Sequence, residues 1–422
     1  MTAQHSSFIG QNAQRYCWLV VALLVPVALL NYLDRQMLAA MKFSVMQDIP
    51  AIGTEANWGK VLALFKWTYA IVSPIGGYLA DRFSRRHVIA GSLVVWSAVT
   101  WTTGHVSTYE QLLITRAAMG ISEALYIPAA LALVADYHPG ATRSRAVGLH
   151  QIGIYAGVII GGFSGYAADH PSLGWRWMFD TCGLVGVAYA LPLFYLLRNP
   201  SPAERETEPE RASPARALRE LLGNFSFILL LLCFTLPALA GWVVRDWMPA
   251  ILKAEFAIGQ GKAGVSATLY WTVSCIFGAV FGGWLADYWT KHTPRGRIYT
   301  SAIGMGLIVI SMFGVGYSPQ TGLLGVAIAF LVVFGLGWAF FDANNMPILC
   351  QIARPHLRAS GYGLMNLVSI SCGGFADWGF GILRDRGVPL FATLGIFAST
   401  AVLSIVLVLL IRPRENQQAS GT

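Results

Sequence analysis

The 422-residue sequence predicts an all-α membrane protein, with twelve transmembrane helices in two six-helix bundles related by a parallel pseudo-two-fold repeat. Three observations predict it. Charged residues are 12% of the chain, the hydrophobic fraction is 55% and the mean hydropathy is +0.55, whereas a soluble domain is roughly a quarter charged. Apolar runs of about 20 residues, the length that spans a bilayer, recur throughout. One short motif also occurs twice, at corresponding places in the two halves.

Hydropathy and helix breakers place the spans at 17–40, 57–80, 87–104, 109–136, 144–168, 176–197, 222–251, 263–288, 298–316, 322–350, 358–383 and 388–411. The expected organisation is a cytoplasmic tail 1–16, a six-helix bundle 17–197, a cytoplasmic linker 198–221, a second bundle 222–412 and a cytoplasmic tail 413–422. Residues 1–16 are polar and lack the charged start, apolar stretch and cleavage site of a signal peptide. The linker is rich in Pro, Glu and Arg, and 214–222 within it is a candidate surface helix.

Lys and Arg exceed Asp and Glu, for a net charge of +8, but the bases gather in short loops and form no extended basic face. They report orientation, not nucleic acid: Arg82, Arg85, Arg86, Arg143, Arg145, Lys291, Arg295, Arg297, Arg354 and Arg358 all fall on one side, so both termini are expected in the cytoplasm. The six cysteines are scattered, without disulfide or metal spacing. No GxxxxGK[ST] loop or catalytic constellation occurs, so neither ATP hydrolysis nor enzyme chemistry is expected, and no cofactor or metal.

The first long run carries Asn31-Tyr32-Leu33-Asp34-Arg35-Gln36. Charge inside a membrane helix is costly, so such residues usually face a protein interior or a watery path; the alternative is that both snorkel at the interface. In span four, Arg116 and Glu123 are seven residues apart and share a face. Gly120 between them permits close approach by another helix or a ligand. An anion that engages the arginine would raise the carboxylate's proton affinity, coupling anion entry to proton binding; a static ion pair that holds helices together is the other reading. In span two, Lys66, Tyr69 and Ser73 share a face, and Lys66 meets either the substrate anion or one of Asp34 and Glu123. In span five, Gln151 and Tyr155 are candidate hydroxyl partners, whereas His150 is better explained as hydrogen-bonded packing.

The second half is polar as well. Span seven holds Trp242, Arg245, Asp246 and Trp247, span ten Trp338, Asp342, Asn344 and Asn345, and span eleven Asn366, Ser369 and Asp377. Aromatic faces beside amides and charges suit a sugar ring. Pro237, Pro249 and Pro347 are expected to break helices there and free backbone groups. Alternatively, Arg245 and Asp246 gate a mouth, while Asp377 and Arg384 mark helix ends.

The repeated motif is Gly77-Tyr78-Leu79-Ala80-Asp81-Arg82-Phe83-Ser84-Arg85-Arg86 after span two and Gly283-Trp284-Leu285-Ala286-Asp287-Tyr288-Trp289-Thr290-Lys291 after span eight. It resembles the signature loop of the major facilitator superfamily, with Ser84 where glycine is more usual. The resemblance implies that Asp81, Arg82, Arg85, Arg86 and, in the partial second copy, Asp287 lock the inner helix ends in one state of an alternating-access cycle. Asn31 to Arg35 and Arg116-Ala117-Ala118-Met119-Gly120-Ile121-Ser122-Glu123 are similar to the organic anion symporters of hexuronate, galactonate and sialic acid, and to the neighbouring Spinster lipid transporters. This narrower resemblance implies that Asp34 and Glu123 handle protons while Arg35 and Arg116 pair with them or with the substrate.

The expectation is a monomeric, proton-coupled symporter of a sugar acid in the inner membrane. Its substrate residues would be Arg35, Lys66, Tyr69, Arg116, Gln151, Tyr155, Trp242, Arg245, Asp342, Asn345 and Asn366. A Spinster-like lysolipid carrier and a non-transporting membrane sensor are the alternatives.

Overall fold

In lipid every backbone N–H and C=O must be satisfied within its own segment or a closed barrel, and the apolar runs fold accordingly as helices. The structure, a computed structural model, describes residues 2–138, 140–199, 214–354 and 357–412, with the side chains of 2–13, 77, 78, 80, 81, 141, 214 and 215 outside the described set. The helices are α1 (Thr2–Ala40), α2 (Lys42–Asp48), α3 (Glu55–Arg82), α4 (Arg85–Thr103), α5 (Tyr109–Glu123), α6 (Tyr126–Tyr137), α7 (Arg143–Asp169), α8 (Gly174–Leu196), α9 (Pro214–Leu222), α10 (Phe225–Phe256), α11 (Gln260–Thr290), α12 (Gly296–Tyr317), α13 (Leu324–Ile352), α14 (Arg358–Asp385) and α15 (Leu390–Leu409). Among the described residues, nine helical segments are long and apolar enough to cross a membrane, α5 and α6 counting as one. The less apolar α3, α4 and α14 complete the expected twelve.

Two expectations are corrected. α10 runs unbroken through Pro237 and Pro249, and α13 through Pro347. The interruption lies instead in span four, where α5 ends at Glu123 and α6 starts at Tyr126. Pro128 explains it: a proline has no N–H for the carbonyl four residues back, here Ala124, and its ring crowds that carbonyl. The start of α5 is fixed by a capping box in which Thr108 and Gln111 each bond the other's backbone N–H.

The chain divides into two compact units, Met1–Gly53, Leu64–Thr207 and Gly259–Val265 in one and Thr54–Ala63, Glu208–Ile258 and Ser266–Thr422 in the other. The start of α3 thus groups with the later helices and the start of α11 with the earlier ones.

In the first unit α1 lies along α7. A Cβ on Gly157 would stand 2.2 Å from the Leu29 carbonyl and one on Gly153 2.5 Å from that of Val25, so only glycine allows this approach. Between lipid-embedded helices such packing supplies cohesion that the hydrophobic effect does not. The core gathers Leu24, Trp96, Tyr126 and Leu133 from α1, α4 and α6. Tyr126 donates to the Leu24 carbonyl at 3.0 Å and lies 2.9 Å from His150 Nε2. With the one hydroxyl proton used, His150 is the donor of that second bond, and it is hydrogen-bonded packing as the sequence suggests.

In the second unit Phe227 and Leu230 of α10 pack with Phe341 and Leu349 of α13 and Met365 of α14. The short helix expected at 214–222 is α9, and it buries Ala217 and Leu221 in this core. Arg354 holds its outer side through Glu220 at 3.2 Å.

Candidate functional site

The first unit concentrates its charge where α1, α3 and α5 meet. Arg35 donates from Nε to Glu123 Oε2 at 2.6 Å; Glu123 is fully buried and the Arg35 side chain nearly so. The Arg35 guanidinium lies 4.8 Å from the ring centroids of Tyr32, Phe65 and Tyr69 alike. Arg116 lies 4.8 Å from the same Phe65 ring and donates to Met119 Sδ at 3.0 Å. Helical spacing builds this cage: Tyr32 stands one turn before Arg35 on α1, and Phe65 and Tyr69 one turn apart on α3. Gly120 lets α3 in, since a Cβ there would stand 2.1 Å from Thr68 Oγ1 and 2.4 Å from the Phe65 carbonyl.

Of the acids and bases the sequence grouped together, the structure brings Arg35 to Glu123 and sets Arg116 on Phe65. Asp34 points elsewhere, because successive helix residues diverge by about 100°. Its carboxylate, 2% exposed, accepts from Thr100 Oγ1 of α4 at 3.0 Å. Lys66 is buried beside Phe65, and Gln151 and Tyr155 are half-buried on α7.

The second unit is arranged differently. Arg245 sits 5.5 Å from the Trp242 ring on α10, and Gly373 of α14 makes room for that indole. Asp342 is exposed on α13 and accepts a 3.5 Å bond from the buried Asn345. Asn344 and Asn366 donate to carbonyls of their own helices, Phe340 at 2.8 Å and Tyr362 at 3.0 Å. Asp377, expected at a helix end, lies fully buried two turns before the end of α14, whereas Arg384 does lie in the last turn, 3.2 Å from Glu255.

Of the repeated loop, the Asp81 side chain lies outside the described residues. Arg82 is exposed, Arg85 pairs with Asp136 at the end of α6, and Arg86 donates to the Phe194 carbonyl. In the second copy Asp287 meets Arg297 at 2.7 Å. Sequence reasoning missed Tyr32 and Phe65 as cage walls, Thr100 as the partner of Asp34 and Asp136 as that of Arg85. Only Tyr32 had a local signal, its one-turn spacing from Arg35.

Comparison with known proteins supplies the lineage. Human protein spinster homolog 1 is 30% identical over 250 residues, 57% of this chain and 47% of that protein. Drosophila melanogaster protein spinster is 25% identical over 370 residues, 84% of this chain and 60% of that protein. The chain therefore spans about half the length of the human relative it matches. A sphingosine-1-phosphate transporter of Xenopus tropicalis is 22% identical over 81% of this chain and 68% of its own. Among solved structures, a bacterial homolog of the human lysosomal transporter Spinster, inward-facing and unoccupied, superposes with a TM-score of 0.74 at 20% identity over 94% of this chain and 95% of its own. A D-xylose-proton symporter does so at 0.77 and 18% identity, over 94% and 98%. At those identities the likeness shows the fold, that of major facilitators. The Major Facilitator Superfamily model matches residues 24–376, and with most of the chain inside that match this multi-pass membrane protein belongs to the Major Facilitator Superfamily.

Proposed function

We propose that the protein is a secondary active transporter that couples proton movement to the passage of an organic anion by alternating access, and that its cargo is amphiphilic, one anionic head on an apolar body. The observation that carries the proposal is the buried Arg35–Glu123 pair inside its ring cage. Removing one partner of a buried ion pair leaves an uncompensated charge, at a cost of about 3–5 kcal/mol. An anion that takes Arg35 must therefore be accompanied by a proton on Glu123, and loss of that proton restores the pair and expels the anion. Arg116, held over Phe65, is a second cation for the head, and Asp34 on Thr100 is a second proton site.

The amphiphilic cargo is favoured over the sugar acid by two things. The Spinster relatives include a sphingosine-1-phosphate transporter. The amides that suggested hydroxyl recognition, Asn345 and Asn366, each spend a donor on their own helix, on Asp342 and on the Tyr362 carbonyl. The sugar-acid reading keeps one specific support, the half-buried Trp242 face beside Arg245. The basic loops favour a cytoplasmic location for both termini, in a bacterial-type inner membrane.

Purified protein in proteoliposomes with an imposed proton gradient tests both cargoes. Concentrative uptake of a lysophospholipid or of sphingosine 1-phosphate, with no uptake of uronates, aldonates or sialic acid, is the expected result. Gradient-driven uptake of the sugar acids alone would overturn the amphiphile, and saturable binding of either class without flux would mark a sensor.

A further inference from the structure

Two helix crossings, one in each unit, are built to the same plan. In the first unit Asp169, the last residue of α7, accepts from the Gly261 N–H at 3.0 Å and from the Gln260 side-chain amide at 3.1 Å, both in the first turn of α11. Gln260 also engages Ser44, donating to its hydroxyl at 2.6 Å and accepting from its N–H at 3.2 Å. In the second unit Asp385, the last residue of α14, accepts from the N–H groups of Glu55 and Ala56 at 2.9 and 2.8 Å, both in the first turn of α3. The unbonded N–H groups and positive pole of a helix N-terminus favour such a carboxylate.

The backbone approach is repeated too. A Cβ on Gly165 would stand 2.4 Å from the Gln260 carbonyl, and one on Gly381 would stand 2.3 Å from the Glu55 carbonyl. From the other side, a Cβ on Gly264 would stand 2.2 Å from the Gly162 carbonyl and one on Gly59 2.6 Å from that of Asp377. The sequence carries the plan as Gly-x-x-x-Asp at 165–169 and 381–385, facing Gln260 to Gly264 and Glu55 to Gly59, four residues apart in each case. The basic loops lie at the opposite end of all four helices: Arg82 closes α3, Lys291 follows α11, and α7 and α14 begin at Arg143 and Arg358.

We propose that Asp169 and Asp385 are paired gate residues, each a carboxylate latch on the first turn of another helix, that together hold the end away from the basic loops shut and must both let go when that end opens. This rests on the alternating-access reading above, because a gate has a purpose only where two end states interconvert. The latches lie at the other end of their helices from the repeated Asp81 loop, and they bind backbone N–H groups and a neutral amide. A carboxylate on neutral donors is released by water alone, whereas an ion pair must leave two charges bare.

Reporter cysteines at Ala40, whose Cβ would lie 3.2 Å from one on Gly264, and at Ala56, whose Cα lies 2.9 Å from the Gly381 Cβ position, read each crossing. Intact cells are treated with a membrane-impermeant maleimide and the labelled peptide is quantified. Asp169→Asn is expected to speed labelling of A40C several-fold, and Asp385→Asn that of A56C, with the double variant fastest at both. Glu55→Pro removes one N–H donor at a helix position that tolerates proline, so it opens the Asp385 latch without touching the aspartate and serves should an Asn variant not fold. Unchanged labelling rates in a monodisperse Asp385→Asn or Glu55→Pro protein and in Asp169→Asn would overturn the proposal. The readout needs no substrate, so failure of the cargo assignment leaves the labelling result standing, and unchanged labelling in a protein that still transports removes the latches alone.

Discussion

The polar clusters of the two units differ in how their charges are held. In the first, Arg35 and Glu123 come from different helices, bond at 2.6 Å and are enclosed by rings on α1 and α3. In the second, Arg245 leans on Trp242 of its own helix, and Asp342 is exposed with Asn345 of its own helix as its partner. The repeat thus preserves scaffold but not charge chemistry. The Gly-x-Leu-Ala-Asp loop and the Gly-x-x-x-Asp latch recur, whereas the buried, ring-enclosed Arg35–Glu123 pair is a feature of the first unit's polar cluster. A pair between helices reports and enforces their relative position; a charge supported within one helix leaves that helix free to move with its ligand.

The largest expected effect comes from removing the arginine on each side. Arg35→Ala should destabilise the protein by about 3–5 kcal/mol, the cost of a buried carboxylate left without its partner, and abolish uptake. Adding Glu123→Gln should recover most of the stability and none of the uptake. Of what Arg245→Ala costs, the contact with the Trp242 ring accounts for about 1 kcal/mol or less, as expected for a cation on one ring. Thermal and denaturant unfolding of the four proteins checks this, and equal losses at Arg35 and Arg245 would erase the contrast.

Next is the acid. Glu123→Gln should eliminate proton-driven accumulation while counterflow exchange stays within a few-fold of wild type, because the cage still admits an anion that no longer has to displace a carboxylate. Asp342→Asn should retain driven accumulation. Proteoliposome flux with and without a pH gradient reads both, and driven uptake surviving in Glu123→Gln would move the proton to Asp34.

A smaller difference is expected between two glycines. Gly120→Val would push a side chain against the Phe65 carbonyl, which is helix backbone and cannot yield, so a loss of about 1–3 kcal/mol is expected. Gly373→Val would first meet the Trp242 side chain, at 2.4 Å, and an indole can rotate away. Its stability loss should be smaller, with the cost appearing in substrate affinity, by isothermal titration against the cargo that the flux assay identifies.

Much of the fold was legible because lipid imposes a length and a hydropathy that single residues rarely override. Each of the twelve expected spans has its helical segment within several residues, apart from α1, which begins at Thr2. The interruption after Glu123 is written in Pro128, whereas the prolines of spans seven and ten are absorbed by their helices. The site was legible by face and not by neighbour. Helical spacing put Arg116 and Glu123 on one side of α5, but which cation reaches Glu123 depends on how α1 lies against α5, across 88 positions of sequence. The divergence of Asp34 from Arg35 follows from helix geometry alone. Adjacent opposite charges invite reading as a unit, although the helix sends them to different partners.

The smallest effect tests what the rings contribute. Tyr69 is 6% exposed and presents its face to Arg35, 4.8 Å away. If the ring serves as a polarisable wall for the cation, Tyr69→Phe should be nearly silent, with affinity for the anion changed less than about threefold, since phenylalanine keeps the π face. Tyr69→Leu should cost about 0.5–2 kcal/mol of stability by loss of that face. If the hydroxyl instead binds cargo, Tyr69→Phe alone should weaken binding by tenfold or more and Tyr69→Leu no further. The order of the two variants in a binding titration therefore separates a wall from a ligand. With Tyr69 a wall, Arg35 and Arg116 remain as cations for the anion's charge, and hydroxyl recognition in the first unit loses one of its candidates, which favours an amphiphilic head over a sugar acid.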